Sequence, residues 1–239
     1  MQTPSFIRGA ESARTIARQI ESEGFAVIDD YVAPDQLQTA QNFVRQAVAR
    51  NGGNYLAING SEKLGGTFLH DLATDPGFIA LCHGIYESST GKPAPDTPFY
   101  QVLRCLAGSL AKANSLNFHY DSYLLTALIP VIIPDHGKTG DLLLIPNSRG
   151  IRSHYLTNFA DKILLDNWLS QRLLRMLYAR RHAMIRHLKL KPGNLYLFYG
   201  YRSIHTNEEC SPDAIRSTAL LHYFDPHAES SLKRMLRRN

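Results

Sequence analysis

His187-Leu-Lys-Leu190, Asn194-Leu-Tyr-Leu-Phe-Tyr199 and Ser203-Ile-His-Thr206 follow one another with only Lys191-Pro-Gly-Asn194 and a Gly200-containing turn between them. Their reading decides the fold. Short apolar runs bounded by Pro, Gly and Asn are strands, because a helix announces itself over ten or more residues with a 3.6-residue period. Working outward, the same pattern recurs at Phe99–Ala107, Leu116–His119, Leu124–Ile133 and Asp141–Ile145 on one side, and at Arg216–Phe224 on the other. Pro134-Asp-His-Gly137, Pro146-Asn-Ser-Arg-Gly150 and Ser211-Pro-Asp213 supply the turns. About eight strands is the count of a jelly roll or double-stranded β-helix.

The rest of the chain reads as helix. Ala13, Ile16, Ala17 and Ile20 make a helical stripe over residues 11–23, followed by a short strand at Phe25–Ile28. Pro34 opens a second helix that runs to Arg50, since a missing N–H costs nothing in the first turn. A third helix is expected around Phe78–Ser88, and the proline-rich stretch Gly91–Pro98 is a connector. Between the fourth and fifth core strands, Ile163, Leu164, Trp168, Leu173, Leu174 and Leu177 mark a helical insertion over Asn158–Arg181. The expected fold class is mainly β with flanking helices, a double-stranded β-helix (jelly roll, cupin-like) core. A single domain over 1–239 is expected: a mostly helical part at 1–98, the core at 99–224 with its insertion at about 158–181, and a basic tail at 225–239.

Composition narrows the class. The 239 residues hold 26 Lys+Arg against 21 Asp+Glu, for a net charge of +5, with 44% hydrophobic and 20% charged residues. These are the proportions of an ordinary globular chain, neither disordered nor collagen-like. No stretch approaches the ~18 consecutive apolar residues of a membrane span. The first 24 residues, with Arg8, Glu11, Arg14, Arg18 and Glu21 spaced along them, lack the apolar core of a secretory signal. Three cysteines, an odd number without close pairing, point to a reducing, cytoplasmic setting and to no zinc site.

The chemistry concentrates in His119-Tyr120-Asp121. On an extended chain residues i and i+2 point to one side, so this imidazole and this carboxylate can reach one ion. His205, on a later strand, offers a second imidazole. Two histidines and one carboxylate leave the other face of a metal open, the arrangement of non-haem Fe(II) oxygenases. An H-x-D arises readily by chance in a chain with ten His and thirteen Asp, so its surroundings matter. Arg216 opens the last strand as Arg216-Ser-Thr218, ahead of apolar Ala219-Leu-Leu221. A guanidinium presents two parallel donors to a carboxylate, and Thr218 adds a hydroxyl on the same face.

With these residues in place, the chain resembles the Fe(II)/2-oxoglutarate-dependent oxygenase superfamily, most of all its phytanoyl-CoA dioxygenase branch. The resemblance is carried by Gly24-Phe-Ala-Val-Ile-Asp29 before a Pro-led helix, Tyr100-Gln-Val-Leu-Arg104, Phe118-His-Tyr-Asp121, Gly140-Asp-Leu-Leu-Leu-Ile-Pro-Asn-Ser-Arg149, Pro192-Gly-Asn-Leu-Tyr-Leu-Phe198, His205 and Arg216. It implies Fe(II) ligands at His119, Asp121 and His205, and a 2-oxoglutarate anchor at Arg216 supported by Thr218. It implies that O2 and 2-oxoglutarate are consumed, succinate and CO2 are released, and an unactivated C–H is hydroxylated or desaturated. Halogenating relatives need a small residue where this chain has Asp121. In this branch a basic residue near Arg104 reaches co-substrate or substrate, and a structural ion pair is the other reading. Asn117 and Asn207 flank the ligands, as donors to the co-substrate or as turn stabilisers. The long insertion departs from the branch's compact pattern.

Charge position bears on the substrate. Residues 167–207 contain no Asp or Glu but eight Lys or Arg, and Lys233, Arg234, Arg237 and Arg238 crowd the tail. Removing these twelve from +5 leaves −7 for the rest of the chain. The run is either a solvated face or a lid that attracts a small anionic substrate, with Arg202 and Arg149 as the nearest candidates. Two other readings follow from the same charges. One is a nucleic-acid partner stacked on Tyr178, Tyr196, Tyr199 or Tyr201, which is not the favoured reading because strand aromatics are usually core. The other is weak contact with a membrane surface, and with an anionic glycolipid or sugar substrate there, through Leu232, Met235 and Leu236 of a basic amphipathic tail.

Overall fold

The computed structural model describes residues 10–108 and 110–236. Strands β1 (Ala26–Ile28), β7 (Leu195–Phe198), β4 (Leu125–Ile132), β9 (Arg216–Tyr223), β3 (Tyr100–Leu106) and β2 (Leu56–Asn59) form an antiparallel sheet in that order. A smaller antiparallel sheet runs β6 (Arg186–Leu188), β5 (Leu142–Ile145), β8 (Ile204–Asn207). Pleating sends successive side chains to opposite faces, and both faces of both sheets are used. On β4, Leu125, Ala127, Ile129 and Val131 face outward onto the N-terminal helices, while Leu128 faces the other sheet. Leu142 and Leu144 of β5 meet Leu128, Tyr196 and Phe198 across the interior. Leu143 and Ile145 pack outward, under the insertion, against Phe118, Leu165 and Leu174. Four layers result: helices, large sheet, small sheet, helices.

The N-terminal helices are α1 (Ala10–Glu23), α2 (Pro34–Arg50), α3 (Phe68–Leu72) and α4 (Pro76–Thr90). Pro34 sits in the first turn of α2, as its fixed φ favours. Asp75 caps α4, its carboxylate accepting from the Phe78 N–H at 2.8 Å, and Gly91 closes it at φ 66°. A short α5 (Leu110–Ala113) precedes the His119–Asp121 segment, and α8 (Ser231–Leu236) ends the described chain.

Four local features differ from the sequence reading. Residues 56–72 hold β2, a 3₁₀ turn at Ser61–Leu64 and α3, each too short to show a period. Leu116–His119 is not a strand: Leu116 has φ 54°, which breaks the extended run, and only His119 keeps a bridge, to His205. The insertion begins earlier and is two helices, α6 (Tyr155–Asp166) and α7 (Trp168–Ala179). Asn167 divides them, its side-chain oxygen accepting from the N–H groups of Leu169 and Ser170 at 3.0 Å each. In the tail, Lys233 is buried and paired with Asp225, so that charge is not on a free basic face. Arg8, Arg237 and Arg238 lie outside the described residues. Among the described residues no helix is long and apolar enough to cross a membrane.

Candidate metal centre

A two-way backbone bridge brings the ligands together. The His119 N–H donates to the His205 carbonyl and the His205 N–H to the His119 carbonyl, both at 3.0 Å. The two imidazoles then stand side by side, ring centroids 4.5 Å apart. Asp121 is turned to the same point, held by its N–H to the Gly200 carbonyl at 3.0 Å. Nε2 of His119 lies 3.8 Å from Oδ1 of Asp121, and Nε2 of His205 lies 3.4 Å from Oδ2. The three ligand atoms all fall within 4.8 Å of one another.

The other ring nitrogens decide the tautomers. Nδ1 of His119 is 2.8 Å from the Asn117 carbonyl, and Nδ1 of His205 is 3.0 Å from the Ser203 carbonyl. A carbonyl only accepts, so each Nδ1 carries a proton and Nε2 is the atom each ring turns toward a cation; burial disfavours the charged form of His205, but Asp121 outweighs it and raises that imidazole's pKa. Burial and the neighbouring His205 push His119 down to about 4, so it is neutral at pH 7. Burial disfavours ionised Asp121, but the imidazoles of His205, His222 and His119 outweigh it and hold the carboxyl well below its usual range.

Asp121 is positioned by residues the sequence did not single out. Thr126 Oγ1 donates to Oδ2 of Asp121 at 2.5 Å, and His222 Nδ1 lies 3.1 Å from that hydroxyl. Because the hydroxyl proton is committed to the carboxylate, His222 is the donor in the second bond. Gly200 makes the close fit possible: a Cβ there would overlap both Oδ2 of Asp121 and Oγ1 of Thr126. Gln171 of α7 clamps the segment from outside. Its Oε1 accepts from the Phe118 N–H at 3.1 Å and its Nε2 donates to the Phe118 carbonyl at 2.8 Å, doing for one residue what a neighbouring strand would. Only Gly200, a glycine between two tyrosines, carries a sequence signal. Helical spacing does not reveal Gln171.

Arg216, 4% exposed, faces the space between the sheets. Its Nε donates to the Gly140 carbonyl at 2.6 Å and Nη1 to Thr218 Oγ1 at 3.4 Å. Arg104 stands opposite Thr218 in the β3–β9 register, on the same face. Burial, then the charge of Arg104, lowers Arg216 to about 10. Arg104 also acts electrostatically on His119 and His205, so it lies near both Arg216 and the two histidines. Among the described residues neither arginine has a carboxylate partner. A guanidinium buried without an anion is costly, so this end of the pocket is shaped for one.

The remaining candidates are occupied otherwise. Arg202 makes a two-pronged pair with Glu21, at 2.5 and 3.0 Å. Arg149 is buried in an ion pair with Asp161 at 3.0 Å, a bond to Asn158 Oδ1 at 2.9 Å, and a stack 3.8 Å above the Tyr120 ring. Both arginines are thus engaged in fastening elements of the fold. Asn207 donates to Ser115 Oγ and the Glu208 carbonyl, and Asn117 to the Ala113 carbonyl, the stabilising roles. Tyr196, Tyr199 and Tyr201 are buried, so they offer no stacking platform. Other basic residues of the insertion line a cleft. A cleft of about 770 Å³ beside His119 is lined by Asn117, Phe118, Asp166, Trp168 and Arg172, with Gln171 and Arg175.

No family model matches the chain, and no curated protein matches it in sequence. Solved structures do. A Streptomyces hygroscopicus protein, HygX, with nickel and 2-oxoglutarate bound, superposes with a TM-score of 0.59 at 11% identity, covering 88% of this chain and 86% of that one. A Pseudomonas putida prolyl-4-hydroxylase gives 0.54 at 9% identity, covering 88% and 97%. SnoN, a non-haem α-ketoglutarate-dependent epimerase of nogalamycin biosynthesis, gives 0.53 at 15% identity, covering 91% and 84%. The chain has the jelly-roll fold of the Fe(II)/2-oxoglutarate-dependent oxygenases.

Proposed function

We propose that the protein is an Fe(II)/2-oxoglutarate-dependent dioxygenase that hydroxylates a small anionic substrate, releasing succinate and CO2. The observation that carries this is the pairing, in one pocket, of a two-histidine, one-carboxylate cluster with the buried Arg216, which makes no ion pair among the described residues. The donor set fits both ligands: two imidazole Nε2 atoms and an ionised carboxylate suit a divalent iron, and a guanidinium suits a dicarboxylate's far end. Iron with 2-oxoglutarate and O2 supplies the oxidising chemistry. The chain supplies geometry. His119, Asp121 and His205 would hold the metal from one side and leave the other open, with the Asn117 and Ser203 carbonyls fixing the imidazoles. Arg216, with Thr218 and Arg104, would orient the co-substrate by its remote carboxylate. Leu128 and Leu220 between the sheets exclude water from the pocket walls. Arg172, which lines the cleft beside His119, would meet a substrate anion. Three buried, unpaired thiols suit a cytoplasmic setting.

Anaerobic addition of Fe(II) and 2-oxoglutarate tests the reading through the metal-to-ligand charge-transfer absorption. The band should form in wild type and vanish in both His119→Ala and His205→Ala. In Arg216→Gln it should need about tenfold or more 2-oxoglutarate, the worth of a charge-assisted bidentate contact. No band in wild type, or an undiminished band in both histidine variants, sinks the assignment. Succinate release against anionic candidates, with a product one oxygen heavier, then identifies the substrate and separates hydroxylation from desaturation.

A further inference from the structure

The exposed apolar surface of this protein is not scattered. Among the described residues twelve large apolar side chains stand out into solvent, and ten of them lie between Ile151 and Met184. On α6 they form one stripe, Leu156, Phe159, Ile163 and Leu164. On α7 they continue as Trp168, Leu169, Leu173 and Met176, with exposure from 39% at Met176 to 67% at Trp168. A contiguous apolar face of this kind marks a contact with something outside the fold.

Charge says what that something is. The two helices hold two carboxylates, Asp161 and Asp166, and Asp161 is consumed by Arg149 and Arg152. Interleaved with the apolar residues of α7 are Arg172 and Arg175, and Arg180 and Arg181 follow directly. The C-terminal segment converges on the same place: His227 packs edge-on against Tyr155 of α6 at 5.7 Å, and the charge of Lys233 acts on Lys162. Thus the basic run from Arg172 to Arg181 flanks one apolar face. An isologous pairing of two copies would set these arginines against one another with Asp166 the one free counter-charge of the helices. The pattern instead matches a surface that is apolar within and anionic above.

We propose that the outer face of α6 and α7 docks on an anionic lipid bilayer surface, seating the mouth of the metal pocket against it. The cleft beside His119 is walled by Trp168, Arg172 and Arg175 of the same α7, so docking places the pocket entrance at the level of the lipid headgroups. This goes beyond the reaction and stands apart from it, since the face contains no metal ligand.

Sedimentation with vesicles of phosphatidylcholine, with and without phosphatidylglycerol, tests it on the full-length protein. Wild type should sediment with the anionic vesicles. Leu164→Glu/Leu169→Glu should bind about tenfold or more weakly, and Arg180→Gln/Arg181→Gln several-fold more weakly, because apolar burial and charge both contribute. These positions are exposed, and an unchanged circular dichroism melt verifies the fold. Failure of wild type to bind anionic vesicles, or equal binding by the double-glutamate variant, overturns the proposal. So does a wild-type dimer in sedimentation velocity that this variant dissociates. The charge-transfer band read in the same variants keeps the two proposals apart: its absence with docking intact removes the dioxygenase reading alone, and its presence without docking removes the docking alone.

Discussion

The two helical layers of this protein are attached by different physics. On the N-terminal side α1, α2 and α4 bury Ala13, Ala17, Ile20, Ala40, Val44, Phe78 and Ile85 against the large sheet. On the other side α6 and α7 bury little more than Asn158, Leu165 and Leu174, and directional bonds hold them instead. Gln171 grips Phe118, Arg149 grips Asp161 and Asn158, Arg175 donates to the Leu116 carbonyl, and Lys162 donates to Ser122. Area resists removal without specifying a position closely. Hydrogen bonds specify position at small net cost or gain, about 1 kcal/mol each. The first layer therefore sets stability and the second sets where the pocket mouth stands.

Three substitutions would break or sharpen that contrast. Phe78→Ala, in the buried layer, should cost about 3–5 kcal/mol in denaturant unfolding, the price of a large core cavity. A loss below about 1 kcal/mol would mean this layer is not held by burial. Asp161→Asn should cost about 2 kcal/mol, because it leaves buried Arg149 without its anion. It should also remove an acid sensitivity. Burial opposes the charged form of Asp161, but its bonds to Arg152 and Arg149 prevail and its pKa is lowered. Its contribution is thus complete above the ordinary carboxylate value near ~4 and fades as pH falls through the lowered one. Wild type and variant should converge in stability in that acid range; a constant gap would show the ion pair is not the cause. Gln171→Ala should leave the melting curve within about 0.5 kcal/mol while weakening metal affinity about tenfold, as loss of outer-shell support does. A large stability loss with unchanged affinity would reverse the roles assigned to the layers.

Much of this arrangement is legible in the sequence, and the limits have physical causes. Strand runs bounded by Pro-Gly turns mark β3 to β9, and Pro34 marks the start of α2 to the residue. His119, Asp121 and His205 meet because i, i+2 geometry and strand pairing bring them together. Arg216 and Thr218 share a face for the same reason. What stays hidden is set by tertiary proximity. Thr126 supports Asp121 only because β4 and the Asp121 loop converge, and Gln171 reaches Phe118 from 53 residues away. The partners of Arg149 and Arg202, Asp161 and Glu21, lie 12 and 181 residues off, so sequence position alone left those arginines free to be misread. Total charge is a poor guide for a similar reason: Lys138, Lys191, Arg202 and Lys233 are paired with Glu209, Asp30, Glu21 and Asp225, and only the folded chain shows those pairings.

The bridge between His119 and His205 bears on how the protein assembles. Two ligands 86 positions apart (205 − 119) are joined by one reciprocal backbone pair, so no part of the chain shorter than that loop contains the site. Closing such a loop costs chain entropy that only the finished sandwich of sheets repays. On the proposed reading, metal capture would come after barrel closure instead of nucleating it, and the rate at which refolding protein gains affinity for Fe(II) would be a clock for the last step of folding.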